Sequence, residues 1–139
     1  MPVLRALTRL LNVPALVSFL RSHRADASVW DPAQDLLVLV DEVAVPVGEY
    51  RLRAAGSPGG HNGLKSIEAH LKSPTYPRLR IGIRPVDERR PIGDLADFVL
   101  HAMPRDERAL YDDSVPRLVD AVECWIAEGT EKAVSSRGR

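Results

Sequence analysis

Residues 36–40, Leu-Leu-Val-Leu-Val, form a continuous apolar run of strand length, and Asp41 and Glu42 follow it directly. Such a run is typical of a strand that is buried on both faces of an α/β sheet. Ligands bind at the carboxyl ends of strands in open α/β sheets. The run therefore predicts a buried strand with two carboxylates at a candidate site, although a strand that simply emerges into water would have the same sequence.

A glycine-rich segment at residues 56–63, Gly-Ser-Pro-Gly-Gly-His-Asn-Gly, is the second informative feature. Glycine permits backbone angles and close approaches that a Cβ atom forbids. The segment can offer backbone N–H groups and the Asn62 amide to a polar ligand. The simpler interpretation is a strand-to-helix connection with Asn62 as the helix N-cap. Local sequence leaves both interpretations open.

The remaining pattern alternates between strand and helix periodicities. Alternation predicts strands at residues 49–53 and 78–84, with Arg51 and Arg53 on one face of the first. Helical spacing predicts helices at residues 14–22 and 62–72, a short helix or ordered loop at 93–100, and a helix from Pro104 that restarts or kinks near Pro116 and closes at Gly129. Residues 23–34 are expected to form a loop.

Composition limits the classes of protein and partner. A chain of 139 residues is the size of one domain, and its 19 basic and 19 acidic residues create no global field toward a polyanion. Any polyanion site must therefore be a local patch. The single cysteine, Cys124, fits a reducing cytosol, and no membrane-spanning or signal-peptide pattern is expected. No His, Cys and carboxylate cluster has the spacing of metal ligands.

Several motifs in order resemble the bacterial peptidyl-tRNA hydrolase family. They are Val40-Asp41-Glu42 with Pro46 and Gly48, Gly59-Gly60-His61-Asn62-Gly63-Leu64-Lys65-Ser66-Ile67, Arg78-Leu79-Arg80-Ile81-Gly82-Ile83, and Phe98-Val99-Leu100. The resemblance extends from residue 36 to about residue 132. It implies a single α/β domain with a mixed sheet between helices, no metal or other cofactor, and cleavage of the ester between peptide and tRNA.

The resemblance also implies roles at matching positions. Asp41 matches the carboxylate that orients a catalytic histidine, and Asn62 matches an asparagine that binds substrate near the scissile ester. Asn12 is aligned with a second substrate-binding asparagine, and His61 with a structural or substrate-lining residue. Arg53 and Arg80 match basic positions that bind the 5′ phosphate of the tRNA acceptor end. Ester hydrolysis needs a base, a group that orients it and donors for the oxyanion, and these residue types fit those needs.

One part of the family pattern has no counterpart in this sequence. The family's first strand, its Gly-Asn-Pro-Gly loop and the helix with the catalytic histidine are not encoded, so the fold is expected to be truncated relative to the family. None of His23, His61, His70 and His101 is expected to reach Asp41. The predicted organisation is one domain over residues 1–139, with a family-like part at 36–132, an atypical segment at 1–13 and a frayed tail at 133–139.

Three functions remain open at this point. The chain is an active peptidyl-tRNA hydrolase, a catalytically inactive module that binds the tRNA acceptor end, or a truncated product of an active enzyme's gene. A serine hydrolase of the α/β class is disfavoured because no Gly-x-Ser-x-Gly elbow is present. The expected partner is peptidyl-tRNA, with no membrane or metal, and the expected form is a cytoplasmic monomer.

Overall fold

The computed structural model describes residues 31–137. In this range the elements follow the order α1 (Pro32–Asp35), β1 (Val38–Pro46), β2 (Tyr50–Arg53), α2 (Asn62–Leu71), β3 (Arg78–Arg84), α3 (Leu95–Leu100) and α4 (Arg105–Arg137). The predictions for the helix at 14–22, the atypical segment at 1–13 and Asn12 lie outside the described residues. The short helix α1 occupies part of the predicted loop, because Asp31 caps its N-terminus by accepting from the Ala33 N–H.

The strands form a mixed sheet in the order β1-β3-β2. The central strand β3 pairs in parallel with β1 and antiparallel with β2. The strands predicted at 49–53 and 78–84 are confirmed to within one residue, as is the mixed α/β class. No helix among residues 31–137 has the length and apolar character needed to cross a membrane.

Strand β1 differs from its prediction in both position and burial. It begins at Val38 and continues through Asp41 and Glu42 to Pro46, and its pairing with β3 becomes irregular only after Glu42. The two carboxylates therefore lie where regular pairing ends, not where the strand ends. The apolar run is half-buried instead of fully buried. The reason is that, within the described residues, β1 pairs with β3 alone and is an edge strand.

Gly82 on β3 is the tightest point of the sheet. A Cβ atom at this position would lie 1.9 Å from the Pro46 carbonyl oxygen and 2.8 Å from that of Glu49. The Gly82 N–H donates to the same Glu49 oxygen at 2.9 Å. The chain between β1 and β2 can therefore cross this part of β3 only because the residue beneath it has no side chain.

The hydrophobic core lies between one face of the sheet and α4. Leu52 and Leu79 are almost completely buried there, and Leu118 and Ala133 meet them from the helix. Half-buried Tyr50, Ile81, Val122 and Trp125 extend the same cluster. The alternation predicted for β2 is confirmed, because Leu52 faces this core while Arg51 and Arg53 are exposed.

Helix α4 stays helical through Pro116 but breaks at Gly129, whose φ of 83° and ψ of 178° are not helical. A second helical segment follows, in which Ala133 is fully buried and Thr130 donates to the Ala33 carbonyl of α1. Gly129 therefore ends the first helical segment, as predicted, but the chain continues to fold beyond it. The frayed tail predicted from residue 133 is wrong for the described residues, because Ala133 packs in the core.

A buried charge on the opposite face of the sheet fixes helix α2 to β3. Arg78 is inaccessible to solvent, donates to the Pro74 carbonyl at 2.8 Å and lies 3.4 Å from the Glu68 carboxylate on α2. Its guanidinium carbon also stands 4.0 Å from the centre of the Tyr76 ring. A buried charge lowers the stability of the fold unless it is paired. The Arg78–Glu68 pair therefore fixes α2 against β3.

We expect Gly82→Ala to prevent folding or to lower the free energy of unfolding by about 3 kcal/mol, because the new methyl overlaps backbone that cannot move freely. Urea denaturation measures the change. Gly60→Ala is the matched control, because a Cβ there meets nothing within 4 Å, and it should alter stability by no more than about 0.5 kcal/mol. Equal effects of the two substitutions would contradict the close approach at Gly82.

Burial raises the pKa of the Tyr76 phenol above its ordinary value, although nearby Arg78 acts in the opposite direction. Above about pH 10 the unfolded chain loses this proton while the folded chain keeps it. The unfolded state then binds fewer protons, so the free energy of unfolding falls as the pH rises through that range. Urea denaturation between pH 8.5 and about 11 should show this fall, and Tyr76→Phe should reduce its slope. An unchanged slope in the variant would exclude Tyr76 as its source.

Candidate functional site

His61 joins the start of helix α2 to strand β1. Its Nδ1 accepts the Leu64 backbone N–H at 3.2 Å, which makes His61 the N-cap, and its Nε2 lies 2.9 Å from the Asp41 carbonyl oxygen. A backbone N–H can only donate and a carbonyl can only accept, so the neutral ring carries its proton on Nε2. Asn62 is the first helical residue, and the prediction that it caps the helix is wrong.

The carboxylate of Asp41 lies beside the same imidazole. Its Oδ1 is 3.5 Å from His61 Nε2, and about half of the Asp41 side chain is exposed. The expectation that no histidine reaches Asp41 is therefore wrong, because the glycine-rich turn folds back over β1. Gly63 assists this arrangement, since a Cβ there would lie 2.9 Å from His61 Cε1.

Arg80 projects from β3 and holds two segments at once. One terminal nitrogen donates to Glu42 Oε2 at 2.7 Å, and the other donates to the Ser57 carbonyl of the glycine-rich turn at 2.8 Å. The second oxygen of Glu42 accepts from the Ala44 N–H at 3.2 Å. The pairing of Glu42 with Arg80 was not anticipated, because 38 residues separate them.

Arg53 is exposed, and its one hydrogen bond to another of residues 31–137 goes to the adjacent Leu52 carbonyl. Arg51 lies directly opposite Arg80 in the antiparallel ladder, and Arg53 lies opposite Arg78. Arg53 and Arg80 are therefore diagonal neighbours on one face of the sheet, within reach of a shared ligand for long side chains.

Two cavities meet at Asp41. The larger, of about 230 Å³, is lined by the site residues Asp41, Glu42, His61 and Arg80 and by the glycine-rich turn, with apolar walls from Ile83, Leu95 and Val99. The smaller, of about 60 Å³, contains His101 and Glu107. His101 shares this cavity with Asp41, which the sequence did not suggest. Asn62 is exposed at the start of α2, next to His61 in the chain.

The larger cavity combines an acidic, a cationic and a neutral hydrogen-bonding group on apolar walls, as is usual for sites that bind small polar groups. Within residues 31–137, no group of three His, Cys, Asp or Glu side chains is placed to hold a metal ion. The polar side chains that line the larger cavity are two carboxylates, an imidazole and a guanidinium.

Solved structures share this fold. A crystal structure of a peptidyl-tRNA hydrolase in complex with N-propanol aligns over 87% of this chain and 57% of its own, with a TM-score of 0.64 and 28% sequence identity. A peptidyl-tRNA hydrolase from Acinetobacter baumannii aligns over 86% and 58%, with a TM-score of 0.59 and 27% identity. The α/β architecture predicted from sequence is confirmed.

Sequence comparison identifies the family. The family model described as peptidyl-tRNA hydrolase matches residues 22–138. A protein of that name from Gemmatimonas aurantiaca is 86% identical over 110 residues, which is 79% of this chain and 58% of the relative. One from Lachnospira eligens is 42% identical over 101 residues, 73% of this chain and 53% of the relative. The chain belongs to the peptidyl-tRNA hydrolase family and spans a little over half the length of these relatives.

We expect His61→Ala to lower the free energy of unfolding by about 1 kcal/mol, because the helix N-terminus loses its cap. Urea denaturation measures the loss. His70→Ala is the control, since His70 is exposed and its bond within the described part of the chain is to the Ser66 carbonyl of its own helix, and it should cost no more than about 0.5 kcal/mol. If the two variants are equally stable, His61 does not act as the cap.

Proposed function

We propose that this chain takes part in hydrolysis of the ester bond between peptide and tRNA, which recycles tRNA from stalled or aborted translation. The observation that carries the proposal is the convergence of Asp41, His61 and Arg80 on one cavity. Family membership supports it, since relatives up to 86% identical bear the name of this activity.

Each candidate residue has a role in this proposal. Asp41 is proposed, on the sequence resemblance, to orient the imidazole of a catalytic histidine other than His61, and its half-exposed carboxylate is accessible for that contact. Asn62 binds the peptide end of the substrate through its exposed amide. Asn12 is proposed, on the sequence resemblance alone, to bind the peptide backbone as well.

His61 is proposed to line the substrate site and not to act as the base. Its Nδ1 lone pair is engaged by the Leu64 N–H, and its Nε2 carries the ring proton toward the Asp41 carbonyl. A general base needs a free lone pair within reach of the proton that it removes. No described residue is assigned as the base in this proposal.

Arg53 and Arg80 are proposed to bind the 5′ phosphate of the acceptor end. Guanidinium groups bind phosphate through paired, charge-assisted hydrogen bonds, and the two side chains start from diagonal positions on one sheet face. The exposed Arg51 adds positive charge to the same face. We infer that the protein acts as a cytoplasmic monomer; its single cysteine fits the reducing compartment.

A second candidate function is binding of the acceptor end without cleavage. The observation that favours it is the engagement of both His61 nitrogens, which leaves the histidine that contacts Asp41 without a free lone pair. The two candidates differ in turnover and not in the RNA that they recognise.

An ester-release assay on peptidyl-tRNA tests the first candidate. We expect measurable release by this chain and a decrease of about 100-fold or more in Asp41→Asn, which keeps the shape of the side chain but removes the charge that orients the base. The full-length Gemmatimonas aurantiaca relative serves as the positive control for the substrate. Asp112→Asn, in an exposed pair on α4, changes the net charge equally and should keep the parent rate.

Two results would count against this mechanism. Release at the parent rate by Asp41→Asn would remove the role of Asp41. Binding of an acceptor-stem RNA without any ester release would instead favour the second candidate.

A further inference from the structure

The guanidinium of Arg80 already donates hydrogen bonds to two acceptors within the chain. It pairs with Glu42 at 2.7 Å and with the Ser57 carbonyl at 2.8 Å, and the side chains of Arg80 and Glu42 are only 20% and 12% exposed. The pair borders the larger cavity that also contains Asp41 and His61. A phosphate that approaches Arg80 therefore meets an arginine whose preferred ligand, an oxyanion, is already present.

The surrounding charges indicate that this carboxylate stands where an external anion would bind. Arg51 lies directly opposite Arg80 and Arg53 lies diagonally to it, both exposed. Glu42 is the carboxylate that pairs with Arg80 among the described residues. Carboxylate and phosphate oxygens suit the planar guanidinium fork equally well, so the two compete for the same donors.

We propose that Glu42 occupies Arg80 in the RNA-free protein and that the 5′ phosphate of bound RNA displaces it. The inference rests on the proposed role of Arg80 in phosphate binding and adds an internal competitor to it. A 5′ phosphate carries the charge needed to displace Glu42, whereas a 5′ hydroxyl does not. Glu42 thus lowers the affinity for the phosphorylated end and leaves binding of a 5′ hydroxyl end unaffected, because only the phosphate has to break the Glu42–Arg80 pair.

The same contacts link the phosphate site to the glycine-rich turn. Arg80 holds the Ser57 carbonyl with the nitrogen that does not bind Glu42. The turn continues through Gly59 and Gly60 to His61, which contacts Asp41. A change in the position of Arg80 on phosphate binding therefore acts directly on the segment that carries His61 and Asn62.

Glu42→Gln tests the inference. The amide is isosteric and its oxygen can still accept from the Ala44 N–H, but its NH₂ group cannot accept from Arg80. Freeing Arg80 raises the fraction of protein that is competent to bind phosphate. We expect about 3- to 10-fold tighter binding of a 5′-phosphorylated acceptor-stem duplex, and no change for the same duplex with a 5′ hydroxyl. Fluorescence anisotropy at fixed salt measures both affinities.

The control is Asp112→Asn, which makes the same change in net charge on α4, the helix that packs against the other face of the sheet. It should leave the preference for phosphate over hydroxyl unchanged. If Glu42→Gln does not fold, as judged by its urea transition, Glu42→Asp withdraws the carboxylate by one methylene and should shift the affinity in the same direction.

Arg80→Ala separates failure of this inference from failure of the proposed function. Suppose that Arg80→Ala loses the preference for the 5′ phosphate while Glu42→Gln binds no tighter than the parent. Glu42 then holds Arg80 in position and does not compete with the phosphate. The inference is then overturned and the phosphate site stands. If Arg80→Ala keeps the full preference, Arg80 does not bind the phosphate, and the proposed phosphate site is overturned together with the inference.

Discussion

The sheet depends on one close approach, in which two backbone carbonyl groups pack against a residue that has no side chain. Gly82 lies opposite Glu42 in the parallel ladder, donates its N–H to Glu49 and leaves the space that the Pro46 carbonyl fills. The chain can therefore leave β1, turn at Gly48 and enter β2 on the far side of β3. This path places the end of regular β1 pairing, and with it Asp41 and Glu42, beside the glycine-rich turn that follows β2.

Arg78 and Arg80 illustrate how position decides the role of the same residue type. Both stand on the same face of β3, and each pairs with a glutamate. Arg78 is inaccessible to solvent and is also held by the Pro74 and Tyr76 carbonyls, so its pair with Glu68 is structural. Arg80 lies one strand repeat further along, at the border of a cavity, and keeps a fifth of its side chain accessible. Only the second arginine can exchange its internal partner for a ligand.

Periodicity and turn residues predicted most elements of the described fold. Strand β3 was predicted with its observed bounds, because alternation continues up to Pro85 and Pro77 precedes it. Strand β1 was not, because Asp41 and Glu42 suggested a stop, whereas strand pairing uses backbone groups that are indifferent to side-chain charge. Residue preference offered Asn62 as the cap of α2, as one of two open interpretations. His61 takes it because its ring can bond to the backbone on both sides.

The contacts that define the site could not be predicted from the sequence. The bonds from His61 to Asp41 and from Arg80 to Glu42 join residues 20 and 38 positions apart. They depend on how far the glycine-rich turn folds back, and local composition does not specify that distance. Family resemblance assigned roles to Asp41, His61 and Arg80, whereas their contact partners are seen only in the structure.

The folded part of the protein continues beyond the helix break at Gly129. In the sequence, this glycine closes the last predicted helix. The eight residues after it nevertheless include Ala133 in the core and Thr130, which bonds to both Trp125 and Ala33 of α1. A protein shortened at Gly129 would uncover Leu52 and Leu79 to solvent. A fusion joint or an affinity tag inserted at Gly129 would therefore disturb the core, although the backbone is not helical there.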